Sequence, residues 1–255
     1  MSAWNPDLYL RFKSERTQPS IDLVSRIELD SPKAIVDVGC GPGNSSAVLR
    51  RRWARSHIVG IDSSEAMIEK AKRDYPEIEW RLGDAAALEG EYDLVFSNAA
   101  LQWIPDHENL LPRLMSRVRS GGALASQIPM FKDMPLNLAI EAVASRSRWC
   151  EATRSCAGLF TYREPAFYYR LLSGLAARID MWTTSYYHVL DSRSALVDFC
   201  RSTGLKPYLD RLSSDSERAD FEGELFDELE SRYELQSDGK VLFPFDRQFF
   251  VAYKA

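Results

Sequence analysis

The sequence predicts an α/β fold: a mostly parallel central sheet with helices on both faces and a helical insertion. Three observations predict it. Short apolar, β-rich runs alternate with longer helical patterns through the first 150 residues, the pattern of parallel strands joined by covering helices. The first of these runs ends in closely spaced glycines that lead into a helix, a turn in which backbone approaches a ligand where Cβ atoms would clash. After Pro129 the rhythm changes to aromatic-rich segments with few strand signals.

Taken in order, Pro19-Ser20 followed by Ile21, Val24 and Ile27 predicts a helix ahead of the sheet, within an N-terminal helical cap over residues 1–30. Ala34 to Val38 (AIVDV) is the first strand and Asn44 to Arg55 the next helix. His57 to Asp62 (HIVGID) is the second strand. A helix follows from about Ser64 to Arg73, with Ser63 or Ser64 as its N-cap. Ile78 to Leu82 and Tyr92 to Phe96 give the third and fourth strands. Asp106 to Val118 places Leu110, Leu111, Leu114, Met115 and Val118 on one helical face, and Gly122 to Ile128 is the fifth strand. Residues of about 130–178, with Trp149, Phe160, Tyr162, Phe167, Tyr168 and Tyr169, read as a helical insertion or lid within a single domain spanning 1–255. Met181 to Leu190 is a strand, Ser192 to Glu234 is helical, and Lys240 to Tyr253 is a closing hairpin or final strand.

Bulk composition narrows the class. The 255 residues carry 37 acidic and 32 basic side chains, a net charge of −5, so no broad basic field is available to attract nucleic acid or anionic lipid. No apolar run approaches the ~18 residues of a membrane span. The N-terminus lacks the charged-then-apolar pattern of a signal peptide, and the expected compartment is the cytoplasm. Cys40, Cys150, Cys156 and Cys200 show neither disulfide-framework nor zinc spacing, and His57, His107 and His188 are equally scattered, so no metal site is expected. Asn44-Ser45-Ser46 matches the glycosylation triplet and reads as chance.

The most informative stretch is Val36-Asp37-Val38-Gly39-Cys40-Gly41-Pro42-Gly43-Asn44. Its glycines fall as GxGxG, with Asn44 at the last place of GxGxxG, so the dinucleotide fingerprint is incomplete and a nicotinamide-dependent oxidoreductase is disfavoured. Asp62 closes the second strand 19 residues after Gly43, where an acid suits two ribose hydroxyls; a plain helix N-cap is the competing reading. Asp84 in Leu82-Gly83-Asp84-Ala85 offers a carboxylate to an adenine amino group and Ala85 a backbone N–H to its ring, or Asp84 is an ordinary loop residue. Each signal is weak alone, but together they mark successive strand tips in the order a nucleoside needs. Asn98 and Ala99 follow the fourth strand, and Trp103 walls the pocket or packs on the next helix. Met67 is a core residue that can also reach the adenine, Ser63 adjoins Asp62, and Cys40 is a small filler rather than a nucleophile, with no base nearby.

At these residues the chain resembles class I S-adenosylmethionine-dependent methyltransferases, with their Rossmann-like fold. Over nearly its whole length it resembles the bacterial trans-aconitate 2-methyltransferase family. The matching segments are Tyr9-Leu10-Arg11-Phe12, Glu15-Arg16-Thr17, Asp37 to Ser45, Gly60 to Ser64, Leu101 to His107, Trp182 to His188, Thr203 to Tyr208 and Gly239 to Ala252. The stretch from about Met130 to Arg178 matches less clearly. The resemblance implies S-adenosylmethionine as cofactor, held by Asp37, Gly39, Gly41, Asp62, Ser63, Met67, Asp84, Ala85, Asn98, Ala99 and Trp103. It implies a small tricarboxylate partner, methylated to a monomethyl ester with S-adenosylhomocysteine as second product. A carboxylate is already ionised at pH 7, so no general base is expected. Three carboxylates call for cationic and hydroxyl partners, and the candidates are Arg16, Tyr186, Tyr187 and His188, with Arg163 and Arg247 behind them. Strand alternation sends Tyr187 to the face opposite Tyr186 and His188. Methylation of another small molecule and non-catalytic binding of S-adenosylmethionine are the alternatives.

Overall fold

In the computed structural model, which describes residues 12–201 and 203–255, seven strands form one sheet in the order β3-β2-β1-β4-β5-β7-β6. These are β1 (Ala34–Val38), β2 (His57–Asp62), β3 (Glu79–Leu82), β4 (Tyr92–Asn98), β5 (Val118–Pro129), β6 (Arg178–Leu190) and β7 (Val241–Tyr253). Neighbours among the first five run parallel, and β7 is antiparallel to β5. The described helices are α1 (Lys13–Arg26), α2 (Asn44–Arg52), α3 (Glu65–Asp74), α4 (His107–Ser116), α5 (Pro135–Ala144), α6 (Cys150–Thr153), α7 (Pro165–Leu172), α8 (Arg193–Arg201), α9 (Lys206–Leu209) and α10 (Asp215–Glu230).

The sequence expectations for β1 and β2 match the strands residue for residue because both are buried apolar runs bounded by loops. Elsewhere tertiary pairing moves the ends. Helix α4 stops at Ser116 rather than continuing to Val118, because Val118 is drawn into β5 opposite Tyr92. Strand β5 therefore begins four residues before Gly122, across a register shift in β4. Residues 241–253 form one long strand rather than a hairpin. Helix α2 ends at Arg52, with Trp53 as its C-cap. Val24 on α1 and Ile27 just past its end are buried as expected, whereas Ile21 faces solvent. The N-terminal cap expected over 1–30 lies partly outside the described residues, as do Tyr9, Leu10 and Arg11 of the first matching segment.

The described residues fall into two compact units. The sheet unit comprises 13–129, 160–184 and 247–255; the second comprises Phe12, 130–159 and 185–246, so β6 and β7 each run from one into the other. In the sheet unit, Val36, Val38, Val59, Val95, Leu124, Ile128 and Phe250 face Leu110, Leu111 and Leu114 of α4 and Tyr168 and Leu172 of α7. On the other side α1 packs against α2 and β5, and Ser20, Leu23 and Val24 of α1 are buried, with Ile27 buried just past its end. The core of the second unit is aromatic: Trp149 meets Phe221 edge-on at 5.5 Å, and Phe199, Phe243 and Phe245 cluster around His188. No described helix is long and apolar enough to cross a membrane.

Candidate active site

The strand order 3-2-1-4-5 reverses between β1 and β4, and the C-terminal strand ends at such a switch point are where open α/β sheets bind ligands. The loop after β1 carries Gly39, Gly41 and Gly43, all with positive φ (71°, 54° and 93°). A β-carbon on Gly39 would lie 2.1 Å from the Ala100 β-carbon, so the glycine lets the β1 and β4 loops close on each other. Gly43 and Gly60 sit under Trp80, whose ring would collide with a β-carbon at either position. At Gly41 the corresponding space is open.

Asp62 ties this loop down. Its Oδ2 accepts the Gly41 N–H at 2.9 Å and its Oδ1 the Ser64 N–H at 2.8 Å, while the Gly39 and Cys40 N–H groups donate to the Ile61 carbonyl. Each carboxylate oxygen keeps a second lone pair for another donor. Asp62 is not the helix N-cap, which is Ser64; it receives the Ser64 N–H from outside α3 and remains able to accept from a ligand.

Asp37 is fully buried on the α1 side of the sheet, and its Oδ2 accepts hydroxyl donors from Ser45 and Ser46, both at 2.6 Å. Those serines belong to the triplet that reads as a glycosylation match; in the fold they are buried hydrogen-bond donors. Burial raises the Asp37 carboxyl to about 6, with the two serines pulling the other way and Asp62 adding to the rise. Burial, with Asp37 and Asp62 nearby, also pushes the Cys40 thiol well up, which makes it a poor nucleophile.

On the far side of the switch point, Asn98 closes β4 and Ala99 takes a left-handed conformation at φ 54°. The Ala99 N–H donates to the Gln127 carbonyl and the Gln102 side chain to the Ala99 carbonyl, fixing this unusual backbone. Leu101–Trp103 form a short 3-10 turn. His107 anchors it: Nε2 lies 2.9 Å from the Leu101 carbonyl and Nδ1 2.9 Å from the Tyr168 hydroxyl. A carbonyl only accepts, so Nε2 carries the proton and Nδ1 accepts from Tyr168; burial favours this neutral form. Trp103 is 37% exposed and meets Phe160 edge-on at 4.6 Å. At the third strand tip, Asp84 is exposed and caps the turn Ala85–Ala87 by accepting the Ala86 N–H, while Ala85 is buried. Met67 is buried in α3 and Ser63 is exposed.

The remaining candidates separate. In the sheet unit, Arg247 is buried on β7 opposite Pro129, and Arg16 is half-buried one turn before Ser20 on the inward stripe of α1. Arg163 turns outward, 3.8 Å from the exposed Glu108 and over the Phe167 ring, and does not join them. In the second unit, Tyr186 and His188 stack at 6.2 Å with His188 buried, whereas Tyr187 is 62% exposed on the opposite face of β6. The sequence reading missed Gln127, Ala100, Trp80 and the two serines; the small residues after Asn98 were the one visible sign of the close approach to Gly39.

Asp37 Oδ1 and Asn98 Oδ1 are both buried acceptors with no hydrogen-bond partner among the described residues. A methyltransferase-domain family model matches residues 35–122. A trans-aconitate 2-methyltransferase of Methylobacterium radiotolerans is 42% identical over 100% of both chains, and one of Variovorax paradoxus is 41% identical over 100% of this chain and 99% of its own. The chain belongs to the trans-aconitate 2-methyltransferase family. Its fold is shared more widely. The YcgJ protein of Bacillus subtilis superposes with a TM-score of 0.59 at 13% identity, covering 93% of this chain and 99% of that one. A phosphoethanolamine N-methyltransferase of Haemonchus contortus in complex with S-adenosyl-L-methionine gives 0.60 at 15%, covering 97% and 56%.

The buried, raised carboxyl of Asp37 bears on stability. Its folded value is raised, so its stability contribution is full below about 3.8 and is lost as pH rises through about 6. Asp37→Asn is expected to raise the melting temperature at pH 8, with the gap to the parent closing towards pH 4. A rise of that size is worth about 3 kcal/mol at most. The same substitution is expected to weaken S-adenosylmethionine binding by roughly 10-fold or more, the effect of losing a charged hydrogen-bond acceptor. A melting temperature at pH 8 equal to or below the parent's would contradict the raised value.

Proposed function

We propose that the protein transfers a methyl group from S-adenosylmethionine to a carboxylate of trans-aconitate, giving the monomethyl ester and S-adenosylhomocysteine. The observation that carries this is full-length identity of about 40% to relatives bearing that name, in a chain whose strand tips present acids and glycines at the switch point.

S-adenosylmethionine, when bound, supplies an electrophilic methyl on a sulfonium. The chain's residues do the rest. Asp62, held by two backbone N–H groups, accepts the ribose hydroxyls, and Asp84 with Ala85 receives the adenine, with Met67 and Ser63 beside it. Asp37 and Asn98 offer acceptors to the positively charged methionine end, between Gly39, Gly41 and Ala99, and Trp103 walls the same pocket. The acceptor oxygen is already ionised, so no side chain removes a proton; the contribution is alignment and exclusion of water, for which well-oriented reactions gain roughly 7–11 kcal/mol.

Arg16 and Arg247 are the cations proposed to hold the substrate's carboxylates in the sheet unit. Tyr186 and His188 are the candidates of the second unit. The exposed Tyr187 and outward-turned Arg163 take lesser places. Arg16→Ala is expected to raise the KM for trans-aconitate by about 10- to 150-fold, the effect of losing one charged hydrogen bond; an unchanged KM removes Arg16 from the site. All four cysteines are free thiols, which fits a reducing compartment, and the cytoplasm is part of the proposal.

The test is transfer of labelled methyl from S-adenosylmethionine to trans-aconitate, with cis-aconitate, citrate and isocitrate alongside. Strong preference for trans-aconitate is the expected result. Cofactor binding without transfer to any of the four overturns the substrate.

A further inference from the structure

Gln127 is buried completely on β5, and neither its Nε2 nor its Oε1 has a hydrogen-bond partner among the described residues. A buried carboxamide with both ends unsatisfied costs free energy unless something else supplies the partners. Its register fixes where it points. Gln127 pairs with Asn98 on one side and with Phe249 on the other, and paired residues share a face of the sheet. That face is also the one of Asp37, through the register Asp37↔Phe96 and Phe96↔Ala125. Arg247, opposite Pro129, is the diagonal neighbour of Gln127 on this face and is itself buried. Trp182 stacks on Phe249 at 4.9 Å, and the Arg26 guanidinium lies 4.3 Å from the Trp182 ring centre, closing the row with aromatic surface.

Sheet order then decides which ligand group Gln127 meets. The proposed nucleoside contacts run along the strand tips from β3 (Asp84) through β2 (Asp62) to the β1–β4 switch point (Asp37, Asn98). The methyl acceptor must approach from beyond that point, on the side away from the nucleoside, where the next strands are β5 and β7. At about 4.8 Å per strand, β5 is roughly 10 Å from β1, too far along for the ribose and on course for the acceptor. A donor amide beside a buried guanidinium is a fitting environment for a carboxylate.

We propose that Gln127 is a substrate-binding residue whose Nε2–H donates to a carboxylate of the methyl acceptor, alongside Arg247. The proposal rests on the reading of the protein as a carboxylate methyltransferase. It is tested with Gln127→Leu, which removes the donor at similar volume, and Gln127→Glu, which places an anion against the substrate. Two quantities are read by calorimetry, S-adenosylhomocysteine affinity and trans-aconitate affinity for the S-adenosylhomocysteine complex, together with steady-state KM and kcat. Gln127→Leu is expected to weaken trans-aconitate roughly 10- to 100-fold in both Kd and KM, and Gln127→Glu more strongly. S-adenosylhomocysteine affinity should stay within about twofold and the melting temperature should not fall. Unchanged trans-aconitate affinity in both variants overturns the proposal and leaves a structural glutamine. Loss of S-adenosylhomocysteine affinity instead overturns it in favour of a contact to the methionine end. Failure of the parent protein to bind or methylate trans-aconitate while it binds S-adenosylhomocysteine overturns the substrate reading itself, and this proposal with it.

Discussion

Gly39→Ala is expected to abolish methyl transfer and to lower cofactor affinity at least about 100-fold. A β-carbon there would lie 2.1 Å from that of Ala100, whereas carbon atoms in contact sit about 3.5–4.0 Å apart. One loop must retreat by more than 1 Å, and a misplacement of that size costs about 100-fold at a reacting centre. The φ of 71° adds about 1–2 kcal/mol for any residue with a β-carbon. Neither cost can be relieved by sliding the chain, because the Gly39 and Cys40 N–H groups are both bonded to Ile61. The steric part has a specific remedy: Gly39→Ala combined with Ala100→Gly should regain part of the lost affinity, while the backbone part persists. Calorimetric titration of S-adenosylhomocysteine into the single and double variants separates the two. Full affinity in Gly39→Ala would mean that the β1 and β4 loops do not close the site.

Asp62→Ala is expected to raise the Kd for S-adenosylhomocysteine at least about 100-fold. Hydrogen bonds to a charged group are worth about 1.5–3 kcal/mol each, and two ribose hydroxyls are proposed to share this carboxylate. The substitution also releases the Gly41 and Ser64 N–H groups, which Asp62 now accepts. Asp62→Asn keeps an oxygen for one of these but loses the charge, and should fall between the parent and Asp62→Ala. Retained affinity in Asp62→Ala sinks the ribose contact and leaves the residue as an anchor for the loops alone.

The candidate site is legible in the sequence where it is written in consecutive residues. The GxGxG turn, the acid closing β2 and the acid after β3 are each local signals, and the fold sets them on neighbouring strand tips. Gln127 was not legible, because in sequence it is one polar residue in a strand. Its meaning comes from Asn98 and Phe249, 29 and 122 positions away, which the sheet registers beside it. Trp80 and Tyr75 likewise read as ordinary aromatics, and only their placement over Gly43 shows why glycine is needed there. Tyr187 was separable from Tyr186 and His188 in advance, since strand alternation is itself local.

The sequence by itself determined the α/β class, the strands β1 and β2 to the residue, and the glycine turn with its two flanking acids. These follow from apolar periodicity and from backbone conformations that glycine alone adopts cheaply, and both act over a few residues. Only the tertiary structure decided that β5 starts at Val118, that β7 lies between β5 and β6, that Ala100 closes on Gly39, and that Asn98, Gln127 and Arg247 share one buried face. The reason is that strand register and close backbone approach join residues far apart in the chain, and no local pattern states which strand a residue will face.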